Sequence, residues 1–167
     1  TMSKYSVLSL FSGGGGLDLG FKNVGFKTIY SLDNSHDSCK TLEINRMSEV
    51  IVNEDIEKID NLNIKKATGF KKKELDVIIG GPPCPAFSKS RFYRKEKPSG
   101  MDDPSSITLG EYFRVIDYFK PKYFVFENVR HLMAKRQKGA FEYILGLIKE
   151  IGYKAEFKVL NTANFGV

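Results

Sequence analysis

The sequence predicts an α/β fold built on a doubly wound, mostly parallel sheet. Two observations predict this class. First, short apolar segments rich in β-branched and aromatic residues alternate with segments of helical period along the chain. Second, the most apolar segment, Val77-Ile78-Ile79, has no polar face, as in parallel strands that helices cover on both sides. Such a sheet needs right-handed crossovers, so helices are expected on each face.

The elements follow one another in a βαβα order. We predict strands at Tyr5–Phe11, Lys27–Leu32, Val50–Val52, Leu75–Ile79, Tyr123–Phe126 and Tyr153–Leu160. We predict helices at Leu17–Val24, Asp37–Arg46, Leu109–Phe119 and Ala140–Glu150. The long irregular stretch Ser88–Ile107 is rich in Pro, Ser, Gly and charge, which is typical of a functional lid or of a disordered segment.

The composition, with 41% hydrophobic and 28% charged residues in 167, is that of one soluble globular domain. No stretch approaches the roughly 20 apolar residues of a membrane span, and Thr1–Tyr5 lacks the features of a secretory signal. We therefore expect a cytoplasmic protein without a membrane partner. Cys39 and Cys84 are too few for a disulfide framework and lack the paired spacing of a zinc site, so no metal is predicted.

The formal net charge of +6 favours a polyanionic partner. We interpret the run Lys71–Lys73 as a solvated face. The segment after Cys84 differs, because its basic residues are interleaved with the aromatics Phe92 and Tyr93, a composition suited to phosphates and unstacked bases. The candidate nucleic-acid contacts in this segment are Ser88, Lys89, Ser90, Arg91, Arg94 and Lys95.

A glycine-rich turn, Phe11–Leu17, lies between the first strand and the first helix, where a ligand can approach the backbone and free helix N–H groups. The dinucleotide pattern GxGxxG fails there, since its last position falls on Asp18 or Leu19, which disfavours NAD. Asp33 ends the second strand and Asp55 follows the third, so both carboxylates should lie at the carboxyl edge of the sheet. They suit ribose hydroxyls and an adenine amino group, or alternatively cap helices.

The strongest signal is Gly80-Gly81-Pro82-Pro83-Cys84-Pro85-Ala86-Phe87-Ser88, in which prolines rigidify a thiol at the same edge. A thiolate is a nucleophile that needs a neighbourhood favouring ionisation. Glu127 ends the fifth strand, which is expected beside that of Cys84, so a nucleophile and an acid can share one substrate.

Four segments together closely resemble cytosine-C5 DNA methyltransferases: Phe11–Gly15, Pro83–Ser88, Glu127–Val129 and Val159–Val167. The resemblance implies the Rossmann-like fold of S-adenosylmethionine-dependent methyltransferases, with that cofactor in the crevice. It places Asp33 on the ribose and Asp55 with Ile56 on the adenine. The other residues that it implies around the cofactor are Phe11, Ser12, Gly13, Gly15, Gly16, Leu17, Asn34 and Pro82.

The same resemblance implies that Cys84 adds to C6 of a cytosine flipped out of duplex DNA and that Glu127 holds the N3 and N4 edge of the base. Ser88–Ile107 would close behind the base as a lid. Pro85 stands where many family members have Gln, and whether Thr108 or Leu109 faces the cofactor stays open.

Members of the family normally continue with a further strand, a target-recognition domain and a C-terminal helix. We therefore expect residues 1–167 to form a partial catalytic and cofactor-binding domain, incomplete at its C-terminal side. The chain would be a fragment, or one subunit of a split enzyme whose second polypeptide supplies the target-recognition domain.

Three alternatives remain: a tRNA cytosine-C5 methyltransferase of the same family, a non-catalytic module with this fold, and an NAD-dependent oxidoreductase. His36 and His131 are interpreted as surface or cap residues and Cys39 as a core residue.

Overall fold

The computed structural model describes residues 5–83, 104–134 and 138–166. Five strands, all paired in parallel, form one sheet in the order β3-β2-β1-β4-β5. The strands are Tyr5–Leu10 (β1), Phe26–Asp33 (β2), Val50–Asn53 (β3), Val77–Gly80 (β4) and Tyr123–Phe126 (β5). The helices are Gly16–Asn23 (α1), His36–Ile44 (α2), Asn61–Thr68 (α3), Pro104–Phe119 (α4) and Lys138–Glu150 (α5). The predicted α/β class is confirmed.

The chain divides into two compact units, one reaching to residue 128 and containing the sheet, and one formed from residue 129 onward among the described residues. In the second unit, α5 buries Ala140, Ile144 and Ile148 along one side. Phe141 on this helix meets Phe157 edge-on, with ring centroids 5.0 Å apart. Within the described ranges, no helix combines the length and the apolar character that a membrane crossing requires.

One face of the sheet is covered by α1. Leu17 and Phe21 of this helix pack against Val7, Val77 and Ile79, which point to the same side of β1 and β4. The alternating strand residues therefore form a core that holds the start of α1 directly beneath the glycine-rich turn.

The other face of the sheet packs against α4. Tyr112 lies 5.9 Å from Phe126 and Phe113 lies 6.2 Å from Phe124, measured between ring centroids. The buried Tyr112 hydroxyl donates to the Val125 carbonyl at 2.9 Å. These contacts hold β5 against α4, and its parallel pairing with β4 places the carboxyl ends of the two strands side by side.

β2 carries one irregularity in its pairing with β1. Val7 lies opposite Thr28 and Leu8 lies opposite Tyr30, so Ile29 has no counterpart on β1 and forms a bulge. In a regular strand Thr28 and Ser31 would point to opposite faces, because their spacing is odd. The bulge brings both hydroxyls to the face that α1 covers.

The predicted strand Tyr153–Leu160 is wrong. Residues 153–160 hold no regular strand, and the side chains of Phe157, Val159 and Leu160 are exposed. A strand needs a neighbouring strand for its hydrogen bonds, and no other strand occurs among the described residues of the second unit.

The structure also differs from the sequence-based prediction at two helices, α4 and α3. The predicted loop Ser88–Ile107 extends too far, because α4 begins at Pro104, where proline suits the first helical turn. The helix α3 was missed, although Asp60 and Asn63 form a capping box at its start and Gly69 ends it with a φ of 74°. Its weakly apolar sequence gave little periodic signal.

Candidate active site

The sheet carries a cavity at the carboxyl ends of its strands, at the point where the strand order reverses. Connections from β1 and β4 leave in opposite directions there, which opens a crevice in a doubly wound sheet. The cavity encloses about 160 Å³. Its walls come from the end of β2, from the segments after the first four strands and from α4: Phe11, Leu32, Asp33, Asn34, Glu54, Asp55, Ile56, Pro83 and Thr108.

Asp33 ties the glycine-rich turn to the end of β2. Its Oδ2 accepts the Gly13 N–H at 2.8 Å and its Oδ1 accepts the Ser35 N–H at 2.9 Å. An ionised carboxylate accepts about four hydrogen bonds, so both oxygens keep lone pairs for ligand hydroxyls. The carboxylate is therefore positioned by the backbone and still able to bind.

Asp55 begins a short 3₁₀ turn, Ile56–Lys58, and caps it by accepting the Glu57 N–H at 3.1 Å. This bond uses Oδ1 and leaves Oδ2 able to accept from a ligand amino group. Ile56 is buried and forms an apolar part of the cavity wall. The capping alternative raised by the sequence is thus correct for Asp55, and it does not conflict with ligand binding.

The glycine-rich turn is shaped by close packing at one glycine. Gly15 has a φ of 87°, and a Cβ there would lie 2.7 Å from Leu42 Cδ2 of α2. A Cβ at Gly16 would meet nothing within 4 Å. Leu17 packs into the core against the sheet, so only part of the predicted turn faces the crevice.

A buried carboxylate, Asp18, lies under this turn in the first turn of α1 and is 0% exposed. Asp18 Oδ2 accepts the Ser9 hydroxyl at 2.9 Å, and Oδ1 accepts the Ser31 hydroxyl at 3.4 Å. Burial raises the pKa of Asp18, and hydrogen bonds from Ser9, Thr28 and Ser31 offset that effect only in part.

Glu127 lies beside the segment that leads to the candidate nucleophile. Its N–H donates to the Gly80 carbonyl at 2.9 Å, and a Cβ at Gly81 would lie 2.8 Å from its Oε2. Asn128 donates from Nδ2 to the Pro82 carbonyl at 2.9 Å. The Glu-Asn pair at the end of β5 thus braces the chain after β4.

Several predicted residues lie elsewhere. Cys84 and the candidate nucleic-acid contacts from Ser88 to Lys95 lie outside the described residues. Pro82 is buried, while its neighbour Pro83 lines the cavity. Thr108 lines the cavity and Leu109 is buried, which answers the question left open between them.

Some residues of the cavity were not predicted from the sequence. Glu54 lines the cavity beside Asp55, and its pKa is lowered by the Asp55 N–H and by Lys58. The pair Glu54-Asp55 directly after β3 was the available signal. Outside the cavity, Cys39 is buried as predicted, and burial raises its pKa. His36 and His131 are exposed at the starts of helical turns, also as predicted.

The chain is similar in sequence to Type II methyltransferases. The Type II methyltransferase M.AquIA of Picosynechococcus sp. is 36% identical over 169 residues, covering 96% of this chain and 66% of that protein. M.NgoFVII of Neisseria gonorrhoeae, another Type II methyltransferase, is 37% identical, covering 99% of this chain and 41% of that protein. The chain therefore spans less than two thirds of the length of these relatives.

Solved structures share the fold. A protein described as a DNA modification methyltransferase encoded within a prophage (E. coli) matches with a TM-score of 0.68 and 28% identity, covering 88% of this chain and 38% of that one. DNMT2 of Spodoptera frugiperda matches with a TM-score of 0.58 and 20% identity, covering 86% and 41%. The family model for C-5 cytosine-specific DNA methylases matches residues 5–167, which include the turn, the strand ends and the Glu-Asn pair described above. The chain belongs to the C-5 cytosine-specific DNA methylase family.

Proposed function

We propose that the protein transfers a methyl group from S-adenosylmethionine to C5 of cytosine in DNA, with Cys84 as the nucleophile and Glu127 as the acid that holds the base. The observation that carries this proposal is the close approach of the Glu127 carboxylate to Gly81, shortly before Cys84 in the chain, where an added Cβ would lie 2.8 Å from Glu127 Oε2. This contact brings the acid to the strand end from which the nucleophile follows. Family membership supports the same chemistry.

The cavity residues fit the cofactor that the family implies. Asp33 keeps lone pairs for ribose hydroxyls, and Asp55 Oδ2 can accept from an adenine amino group. Ile56 offers an apolar surface to the adenine ring. Phe11 and the turn after it would hold the amino acid end, where glycines leave room beside the backbone.

The chemistry follows from the residues. The bound cofactor supplies an electrophilic methyl group on a sulfonium sulfur. The Cys84 thiolate adds to C6 of the flipped base, which makes C5 nucleophilic, while Glu127 holds the N3 and N4 edge. C5 would then accept the methyl group that the cofactor supplies, and the sulfur would keep the electron pair of the broken bond. Loss of the C5 proton to a base then restores the double bond and releases the thiolate.

The basic segment after Cys84 is proposed to contact DNA phosphates through Ser88, Lys89, Ser90, Arg91, Arg94 and Lys95. Base-specific contacts are proposed to come from residues outside this chain, either in the same polypeptide or in a second one. The relatives support this, because they extend well beyond the length that the chain matches. Denaturing and native mass spectrometry of the natural protein would distinguish the two arrangements.

Covalent trapping tests the function. DNA synthesised with 5-fluorocytosine in place of cytosine presents many short sequences at once, so the recognition sequence need not be known. Fluorine at C5 cannot leave as a proton does, so the natural full-length protein with S-adenosylmethionine should stay attached to this DNA under denaturing conditions. Cys84→Ser should abolish the adduct.

The matched control is Cys39→Ser. Cys39 is buried in α2, where its thiol donates to the Asp33 carbonyl, a bond that a serine hydroxyl also makes. This variant should trap as the wild type does. An adduct that survives Cys84→Ser contradicts the proposed nucleophile, and trapping on fluorocytosine tRNA instead of DNA contradicts the proposed substrate.

A further inference from the structure

Asp18 is a buried acidic side chain that the proposed chemistry does not use. It is fully buried, and its described partners are the hydroxyls of Ser9, Ser31 and Thr28 and its own backbone N–H. Within the described ranges, no cationic side chain pairs with it. Burying a carboxylate without a cation is costly, and the hydrogen bonds from these groups offset that cost only in part.

The hydroxyls of Ser9 and Ser12 form a series of hydrogen bonds from Asp18 toward the glycine-rich turn. Ser9 has one hydrogen, and it donates to Asp18 Oδ2 at 2.9 Å. The Ser9 oxygen is then an acceptor for the Ser12 hydroxyl, which lies 2.9 Å away. The other two groups near Ser12 Oγ, the carbonyls of Ser9 and Leu32, are also acceptors, at 3.2 and 3.4 Å.

The direction of these hydrogen bonds determines what Ser12 can offer to a ligand at the glycine-rich turn. Because the Ser12 hydrogen points inward, only the oxygen lone pairs of Ser12 remain for a ligand. A lone pair suits a cationic donor such as an ammonium group. In its ionised form, Asp18 would add an electrostatic attraction for the same group across surroundings of low polarity.

We propose that Asp18 is a positioning residue for the amino acid end of the cofactor, acting through Ser9 to hold the Ser12 oxygen as an acceptor for the ligand ammonium group. The inference rests on the proposed function, since it assumes S-adenosylmethionine in the crevice. The role of Asp18 therefore depends on which part of the ligand is present.

Two ligands separate this role from a structural one. S-adenosylhomocysteine carries the amino acid end, whereas 5′-methylthioadenosine lacks it and keeps the adenine and ribose. Titration calorimetry on the natural full-length protein should show that Asp18→Asn weakens S-adenosylhomocysteine binding by about tenfold, as expected when a buried charge-assisted hydrogen bond is lost. Binding of 5′-methylthioadenosine should stay within about twofold.

The matched control is Asp76→Asn. Asp76 also accepts from a serine, Ser6, but at the opposite edge of the sheet. It should change the affinity for both ligands equally or not at all. A loss that is the same for both ligands in Asp18→Asn, or no loss for either, overturns the proposed role.

A double-mutant cycle tests the route. In a Ser12→Ala background the acceptor is gone, so Asp18→Asn should add little further loss of S-adenosylhomocysteine affinity. Additive losses overturn a route through Ser12. If Asp18→Asn does not fold, Ser9→Ala is the alternative variant. It keeps the carboxylate, removes the hydroxyl that links Asp18 to Ser12, and should likewise weaken the binding of S-adenosylhomocysteine more than that of 5′-methylthioadenosine. Failure of the wild type to bind either ligand refutes the proposed function itself, whereas binding without the preference refutes only the role of Asp18.

Discussion

Both edges of the sheet place an aspartate against serine hydroxyls, but among the described residues only the aspartate at the amino-terminal edge also pairs with a lysine. At the amino-terminal edge, Asp76 before β4 accepts the backbone N–H and the hydroxyl of Ser6 on β1, at 2.8 and 3.0 Å. Lys122 before β5 completes the site with an ion pair of 2.6 Å to Asp76. At the carboxyl-terminal edge, Asp18 accepts from serines of β1 and β2 and has no such cation among the described residues.

The difference shows in the pKa values. Partial burial acts to raise the pKa of Asp76, but hydrogen bonds from Lys122 and Ser6 outweigh it and leave the pKa below its ordinary value. Burial dominates for Asp18, so its pKa is raised. One edge joins three strands with a charge that is neutralised locally. The other keeps a buried carboxyl group, with no cation beside it among the described residues, beneath the turn where the ligand ammonium group is proposed to bind.

The largest effect is expected from steric crowding at the carboxyl-terminal edge. A Cβ at Gly80 would lie 2.5 Å from the Leu10 carbonyl oxygen and 2.7 Å from Tyr112 Cε2. Because the first of these atoms belongs to the neighbouring strand, Gly80→Ala should lower the free energy of unfolding by about 3 kcal/mol. Urea denaturation measures this loss.

Gly110→Ala is the control for that substitution. Gly110 lies within α4, and a Cβ there would meet nothing within 4 Å. The change should raise the free energy of unfolding by about 0.5–1 kcal/mol through helix propensity. Wild-type stability in Gly80→Ala would show that the edge is not as closely packed as described.

A smaller effect is expected at the amino-terminal edge. Asp76→Ala leaves the N–H and hydroxyl of Ser6 without their acceptor, and should lower the free energy of unfolding by about 1–2 kcal/mol in thermal or urea denaturation. Lys122→Met removes only the exposed partner and should cost less than Asp76→Ala. The reverse ranking would mean that the ion pair, and not the serine contacts, joins the strands.

The smallest and most specific effect is in the pH dependence of stability. The folded-state pKa of Asp18 lies above its ordinary value of 3.8, so its contribution to stability falls as pH rises from 3.8 through the raised value. The folded-state pKa of Asp76 lies below 3.8, so its contribution is present above 3.8 and is lost as pH falls through the lowered value.

Denaturation series from about pH 3 to about pH 7 on Asp18→Asn and Asp76→Asn check these signs. Relative to the wild type, Asp18→Asn should gain stability as pH rises above 3.8. Asp76→Asn should lose stability relative to the wild type as pH rises through the region below 3.8. Parallel curves for the two variants would remove the distinction between the edges.

The sequence was informative where a local pattern determines the structure. β5 was predicted residue for residue, because an apolar run bounded by polar residues has few other interpretations. Asp33 and Asp55 were placed correctly at strand ends, since parallel strands end at one edge of a sheet.

Prediction failed where structure depends on a distant partner. Residues 153–160 have the alternation of a strand, but alternation does not supply a neighbouring strand. Asp18 was noted only as a mismatch to GxGxxG. Its surroundings depend on the hydroxyls of Thr28 and Ser31, which the bulge at Ile29 brings to one face, a register that no single stretch of sequence reveals.

The bulge in β2 marks a position where this strand can lose a residue without turning its neighbours over. Deletion of Ile29 would pair Thr28 with Val7 and Tyr30 with Leu8 in a regular ladder. Thr28 and Ser31, then two positions apart, would still point to the face that α1 covers. A deletion of Leu32 would instead turn Asp33 away from the side of Ser31. Natural sequences of this family should therefore vary in length at the bulge more readily than between Ser31 and Asp33.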